Sequence, residues 1–264
     1  MLIITDPAEL SPYVGCAFVP TMGALHNGHL SLVKEAKKSD TPVVVSIFVN
    51  PTQFAPNEDY DTYPRNLEQD AAFAEDVGAD VVFAPSVETM YPSMPPPEIT
   101  LPRAAEKPKL EDACRPEHFR GVCIAVARLF DLVQPSLTVF GLKDYQQFLV
   151  IKQLIDQEGS RWDGLKIVGA EIIRDDDNLA MSSRNIYLST DQRSQALGLH
   201  KAIACESETE MEQVMDDHGL EIEYAVIRDA ETLLEPTDGR PARALAAARV
   251  GDIRLIDNAE VTST

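Results

Sequence analysis

Basic side chains are scarce in this chain of 264 residues, where 23 Lys and Arg face 43 Asp and Glu for a formal net charge of -20. So acidic a chain excludes general adhesion to nucleic acid or anionic lipid, and any phosphate must be met by locally gathered Lys, Arg, backbone N–H groups or a divalent cation. Long hydrophobic runs are lacking as well. With no stretch of about twenty uninterrupted apolar residues, a helical membrane span is not expected. Residues 1–7 have no basic region followed by an apolar segment, so a cytoplasmic protein without a secretory leader is expected. The four cysteines, Cys16, Cys114, Cys123 and Cys205, form no C-x-x-C pair and read as small core residues or incidental thiols, with no redox role indicated.

What is present is an ordinary globular composition, 44% hydrophobic and 25% charged, in a chain long enough for one large core or a core plus a smaller domain. From about residue 14 to 169, short branched or aromatic runs alternate with longer helical patterns, the signature of β-α-β units around a parallel sheet. Strands are expected at 14–19, 42–49, 81–84, 137–140 and 166–169, each apolar enough for burial on both faces. Helices are expected at 66–77, 119–132 and 145–157. Pro51, Pro56, Pro64 and the proline-rich run 92–97 mark excursions at the ends of elements, the last a long loop or small edge hairpin. After Asp175-Asp176-Asp177 the character changes. A first domain at 1–175 and a smaller α/β domain at 176–264 are expected, the latter with strands at 222–227 and 254–257 around an Ala-rich helix near 243–248, placed to close over the first.

Ligands of open α/β sheets bind beyond the carboxyl ends of the strands, so the segments that follow the strands hold the candidates. The first is Pro20-Thr21-Met22-Gly23-Ala24-Leu25-His26-Asn27-Gly28-His29. Gly23 and Gly28 allow close backbone approach, a helix start offers unpaired N–H groups, and His26 and His29 share one face of that helix, so an anionic ligand such as a triphosphate is expected. Zinc is a weaker reading, because His118, His200 and His218 all lie far along the chain. The second candidate is Asn50-Pro51-Thr52-Gln53-Phe54, whose amides can orient a small polar substrate without adding charge. In the third, Gly141-Leu142-Lys143-Asp144-Tyr145-Gln146-Gln147, Lys143 can meet a phosphate, Asp144 can bind ribose hydroxyls, and Gln147 can reach into the same cavity. The fourth, Met181-Ser182-Ser183-Arg184-Asn185, has hydroxyls and a guanidinium suited to polyphosphate. Taken alone, the two histidines of the first segment read also as residues satisfying a partly buried hydrogen bond, and each later segment reads as well as a solvated loop or helix start. Together they point to one ATP-sized site.

These four segments, with Tyr63-Pro64-Arg65, His118-Phe119-Arg120-Gly121-Val122 and Arg254-Leu255-Ile256-Asp257-Asn258, form an ordered set that resembles the pantothenate synthetase, or pantoate-beta-alanine ligase, family over nearly the whole chain. The His-x-Gly-His turn alone would mark only the wider nucleotidyltransferase class. The resemblance implies an α/β fold, a Rossmann-like parallel sheet of the HIGH-motif nucleotidyltransferase type with a smaller C-terminal α/β domain. It implies ATP as co-substrate, with Mg2+, and pantoate and beta-alanine as the other substrates. It implies two steps: ATP adenylates pantoate with loss of pyrophosphate, and beta-alanine then displaces AMP. It also implies a homodimer.

By the same resemblance His26, His29, Lys143, Ser182, Ser183 and Arg184 would act on the phosphates, and Gln53 and Gln147 would bind pantoate. Pro20, Thr21, Met22, Gly23, Gly28, Gly141, Asp144 and Met181 would complete the nucleotide site, and Asp70 would hold magnesium. Covalent catalysis at Cys16 or Ser182 ranks below direct adenylation, since neither has a base adjacent in sequence. The alternatives are a nucleotidyltransferase acting on another small anionic substrate and a nucleotide-binding regulatory protein. The chain departs from the family at Leu142, commonly Glu, at Asn178, commonly Gly, and in the short stretch 6–13, where relatives carry a fuller helix.

Overall fold

In the computed structural model, which describes residues 1–54, 60–93, 98–237 and 239–261, the branched runs become a parallel sheet of six strands. These are β1 (Leu2–Ile4), β2 (Ala17–Thr21), β3 (Val43–Ile47), β4 (Val81–Phe83), β5 (Leu137–Gly141) and β6 (Lys166–Ala170), in the order β1-β4-β3-β2-β5-β6. The helices of this part are α1 (Asn27–Ala36), α2 (Leu67–Asp76), α3 (Val87–Met90), α4 (Glu111–Cys114), α5 (His118–Val133) and α6 (Tyr145–Glu158). Pro56 and Pro95 to Pro97 lie outside the described residues.

Continuous apolar strands are required because both faces are covered. Side chains alternate across a strand, so Ala17, Val19, Val43 and Val45 join the core beneath α1 and α2, while Phe18, Val44, Phe83 and Phe140 join the core beneath α5 and α6. The first strand of the β-α-β series begins at Ala17 and not at Val14. Gly15 turns the chain with φ +82°, and Val14 is left 58% exposed ahead of the turn. The short stretch after β1 forms a single 3₁₀ helix (Pro7–Tyr13), capped by Asp6 and anchored by fully buried Leu10.

The smaller C-terminal domain has α7 (Thr190–Ala202) and α8 (Glu208–Asp217) packed on an antiparallel sheet of β7 (Glu221–Asp229), β8 (Ala242–Val250) and β9 (Ile253–Val261), with β8 in the centre. The Ala-rich stretch expected as a helix is therefore a strand. Alanine favours a helix locally, but tertiary burial overrides that weak preference. Ala244, Ala246, Ala248 and Val250 face the helices of this domain, whereas Leu245 turns to the core of the first. Small side chains let β8 be buried on both faces.

Two departures from the family pattern find a physical accommodation. Asn178 takes φ +72°, a left-handed conformation that asparagine tolerates better than most residues other than glycine. Leu142 lies against β6, where a Cβ on Gly169 would come within 2.5 Å of its Cδ2. Among the described residues, no helix is long and apolar enough to cross a membrane.

Candidate active site

The strand order reverses direction about β2 and β5, and the turns that follow these two strands carry the phosphate-type motifs. A topological switch point of this kind opens a crevice at the strands' carboxyl ends. After β2 the chain bends through Gly23 (φ +88°) and Ala24 (φ +52°) into α1. Asp70, on α2 and 3% exposed, supports this bend from beneath, accepting from Ala24 N–H at 2.9 Å and Leu25 N–H at 2.7 Å. It is not among the residues that line the clefts described below.

His26 and His29 form a reciprocal cap on α1. His26 Nδ1 accepts from Gly28 N–H at 3.1 Å, and His29 Nδ1 accepts from His26 N–H at 3.4 Å. Gly28 is required here, because a Cβ would lie 2.8 Å from His26 Cε1. Burial lowers His26 to about 4 and His29 to about 3, with Lys143 and His26 respectively adding to the effect. Both rings are thus neutral near pH 7. With Nδ1 committed as an acceptor, each carries its proton on Nε2 as a hydrogen-bond donor.

This arrangement sets a sign for acid stability. Below about pH 6.5 the unfolded histidines take up protons that the folded ones refuse. Their contribution is complete above that pH and is lost as pH falls toward about 4 and 3. The unfolding midpoint is expected to drop in this window, and less steeply in a His26→Asn variant; melts from pH 7 to 4 check it.

After β5, Lys143 and Asp144 stand at the start of α6, with Nζ 3.7 Å from the carboxylate. Burial alone would raise Asp144, but Lys143, His118, Arg184 and His29 outweigh it and hold the carboxyl below its usual range. The fourth segment arrives from the domain junction. Ser182 caps the 3₁₀ helix Ser183–Tyr187 by accepting from Arg184 N–H at 3.3 Å.

Two clefts, each with about 930 Å³ of space partly open to solvent, meet over these residues. One is lined by His26, Gly28, Gly141, Lys143, Met181, Ser182 and Ser183, with Ile172 and Ile173 as an apolar wall. The other is lined by Thr21, Asn50, Gln53, Arg115 and His118. Pro20, Met22, His29, Tyr63, Phe140, Asp144, Gln147 and Arg184 belong to both. Every expected site residue except Gly23 and Asp70 therefore lines one cleft or the other. Those two shape the turn between them.

The second cleft is built on hydrogen-bonded amides. Asn50 donates to Gln53 Oε1 at 3.0 Å and to Gly121 O at 3.1 Å, while Tyr91 Oη donates to Asn50 Oδ1 at 2.6 Å. Gln53 Nε2 lies 3.1 Å from Met22 Sδ, which ties the two strand-exit segments together. His118 sits with Nδ1 3.1 Å from Gln53 O and Nε2 3.2 Å from an Arg115 guanidinium nitrogen. Helix α5 approaches so closely that a Cβ on Gly121 would stand 2.2 Å from Thr52 O. Gly121→Ala is expected to destabilise the protein by about 1–3 kcal/mol and to displace Gln53, as denaturant melts would register.

Sequence reasoning assigned no role to Tyr63, Arg115, His118, Phe140, Ile172 or Ile173. Tyr63 and His118 sit in recognisable motifs, so the signal existed. Nothing in spacing or composition marks the two isoleucines, which become a wall only through the fold.

Among the described residues, no three His, Cys, Asp or Glu side chains gather as a metal-binding group. Magnesium with a nucleotide is held largely by phosphate oxygens and water, with one or two carboxylates. Asp144 and Glu171 are the carboxylates lining the first cleft, a donor set that fits that mode.

The family model for pantoate-beta-alanine ligase matches residues 8–260. A pantothenate synthetase from Stenotrophomonas maltophilia is 49% identical, the match covering 92% of this chain and 91% of that protein. The crystal structure of pantothenate synthetase from Thermus thermophilus superposes with a TM-score of 0.89 at 41% identity, covering 98% of this chain and 99% of the other. That of pantoate-beta-alanine ligase from Francisella tularensis, complexed with beta-gamma ATP and beta-alanine, gives a TM-score of 0.83 at 33% identity and covers 98% of this chain and 97% of the other.

Proposed function

This chain belongs to the pantoate-beta-alanine ligase family, and from that premise we propose that its two joined clefts hold ATP and pantoate end to end for adenylation. The reaction is ATP-dependent condensation of pantoate with beta-alanine to pantothenate, AMP and pyrophosphate. A free carboxylate is a poor acyl donor because its leaving group would be oxide. In the first step a pantoate carboxylate oxygen attacks the α-phosphorus, the bond to the bridging oxygen breaks, and pyrophosphate leaves. In the second, the beta-alanine amine attacks the acyl carbon and AMP departs.

The observation that carries this reading is the overlap of the clefts. Cationic and N–H donors, Lys143 and His26, lie on one side, and uncharged amides, Asn50 and Gln53, on the other, with His29, Arg184, Gln147 and Met22 shared between them. Neutral histidine donors and fixed cations stabilise charge as it moves onto pyrophosphate, and juxtaposition of the reactants supplies much of the remaining advantage. Ser182 and Ser183 add hydroxyls to the phosphate clamp, and Asp144 takes the ribose. Magnesium would neutralise phosphate charge when bound, and Asp144 and Glu171, the carboxylates that line the first cleft, would be available to hold it.

Gln147→Ala is expected to raise KM for pantoate about tenfold or more while KM for ATP moves little, since it removes polar contacts to one substrate. Steady-state kinetics with each substrate varied in turn test this, and an equal effect on both constants would count against the assignment. A homodimer in the cytoplasm, with the domain boundary near residue 175, completes the proposal. The resemblance across the whole chain supports it, and sedimentation tests the oligomeric part.

A further inference from the structure

We infer that Asn258, on β9 of the C-terminal domain, is a positioning residue for Lys143, fixing from beneath the turn that presents the ammonium to the phosphates. The inference rests on the proposed phosphate role of Lys143. Asn258 is 2% exposed, and its Nδ2 donates to two consecutive backbone carbonyls, Leu142 O at 3.0 Å and Lys143 O at 2.8 Å. Its Oδ1 accepts from the Arg243 guanidinium, which is itself buried and stacked 3.9 Å from the centroid of the Tyr145 ring. Arginine can only donate, so the amide has one orientation, with its two N–H groups turned to the carbonyls. The backbone N–H of Asn258 is held in turn by Asp257 Oδ1 at 2.8 Å, and Asp257 is gripped by Arg174 at 2.7 and 3.0 Å.

The turn needs an outside hold. The 3₁₀ segment Leu142–Asp144 and the start of α6 have no side-chain cap of their own. Lys143 is a flexible four-carbon stem, and fixing its backbone is the means by which the protein limits where the charge can go. Because the hold comes from the other domain, seating of β9 and geometry of the phosphate site are one event.

Asn258→Asp separates this role from packing. It keeps size and an acceptor for Arg243, but turns the donating group into an oxygen facing two carbonyl oxygens. Asn258→Asp is expected to raise KM for ATP about tenfold or more, with KM for beta-alanine changed less than about twofold. In a Lys143→Ala background the same change should add less than about twofold, because the group it positions is gone. Asn258→Ala should follow Asn258→Asp, and thermal melts establish that each variant is folded. Folded Asn258→Asp with wild-type KM for ATP, or an effect that multiplies fully with Lys143→Ala, overturns the inference. If Lys143→Ala itself leaves KM for ATP unchanged, the phosphate role of Lys143 falls and the inference falls with it. If Lys143→Ala is impaired and Asn258→Asp is not, this inference fails alone.

Discussion

Replacing His29 by alanine is expected to slow pantoate-dependent pyrophosphate release about 100-fold or more, the scale seen when one preorganised donor is removed from a developing negative charge. The ring does two things. Its Nδ1 accepts from His26 N–H and so helps to cap α1, and its Nε2–H remains as a donor at the meeting of the two clefts. His29→Asn distinguishes these roles, because a short amide oxygen can still accept at the helix start while the Nε2–H is lost. Equal losses in His29→Ala and His29→Asn are the expected result. Recovery in His29→Asn would mean that the cap alone matters. Because burial and then His26 push His29 down to about 3, its neutral form persists across the working range, and no fall in rate from its protonation should appear as pH drops through 6.5.

Glu111→Ala should lower stability by about 1–3 kcal/mol, since it removes one of the two anions on a largely buried arginine and leaves the buried Tyr224 hydroxyl without its acceptor. Glu111 on α4 receives Arg254 through two hydrogen bonds, at 2.8 and 2.6 Å, and Tyr224 Oη at 2.7 Å, so one carboxylate gathers two strands of the C-terminal domain. Burial followed by the Glu111 charge pushes the Tyr224 hydroxyl well up, so it stays protonated and donates. Burial would raise Glu223, but hydrogen bonding and charge from Arg254 hold it down, which keeps a second anion on the guanidinium. Urea unfolding of Glu111→Ala, beside the double variant Glu111→Ala with Arg254→Met, checks the mechanism. The double variant should recover part of the loss, because the guanidinium that has lost one of its two anions is gone while Glu223 keeps Arg249.

The first domain was legible because two independent signals agree there. Continuous branched runs such as Val43 to Ile47 require cover on both faces, and polar turns follow the strands where a switch point needs them. The start of β2 illustrates the limit. Val14 looks like strand, yet Gly15 turns the chain, and only the turn's geometry makes Ala17 the first residue in the ladder. Residues 243–248 failed for a different reason: Ala, Arg and Leu are good helix formers, and nothing local announces that β7 and β9 will flank them. At the clefts, most motif residues expected from the sequence line the walls, whereas Tyr63 and His118, although in motifs, and the residues brought in by tertiary packing were given no role. Arg115 and Ile173 carry no spacing signal. The resemblance gives Asp70 to magnesium; its two oxygens also accept the Ala24 and Leu25 amides, a task visible only once α2 lies beneath the turn.

The most direct test of adenylation in the joined clefts is a rapid-quench measurement with enzyme, ATP, magnesium and pantoate, and no beta-alanine. The account predicts a stoichiometric burst of pyrophosphate with no matching AMP, followed by AMP and pantothenate when beta-alanine is added. Pyrophosphate that appears only in the presence of beta-alanine, or without pantoate, would contradict it.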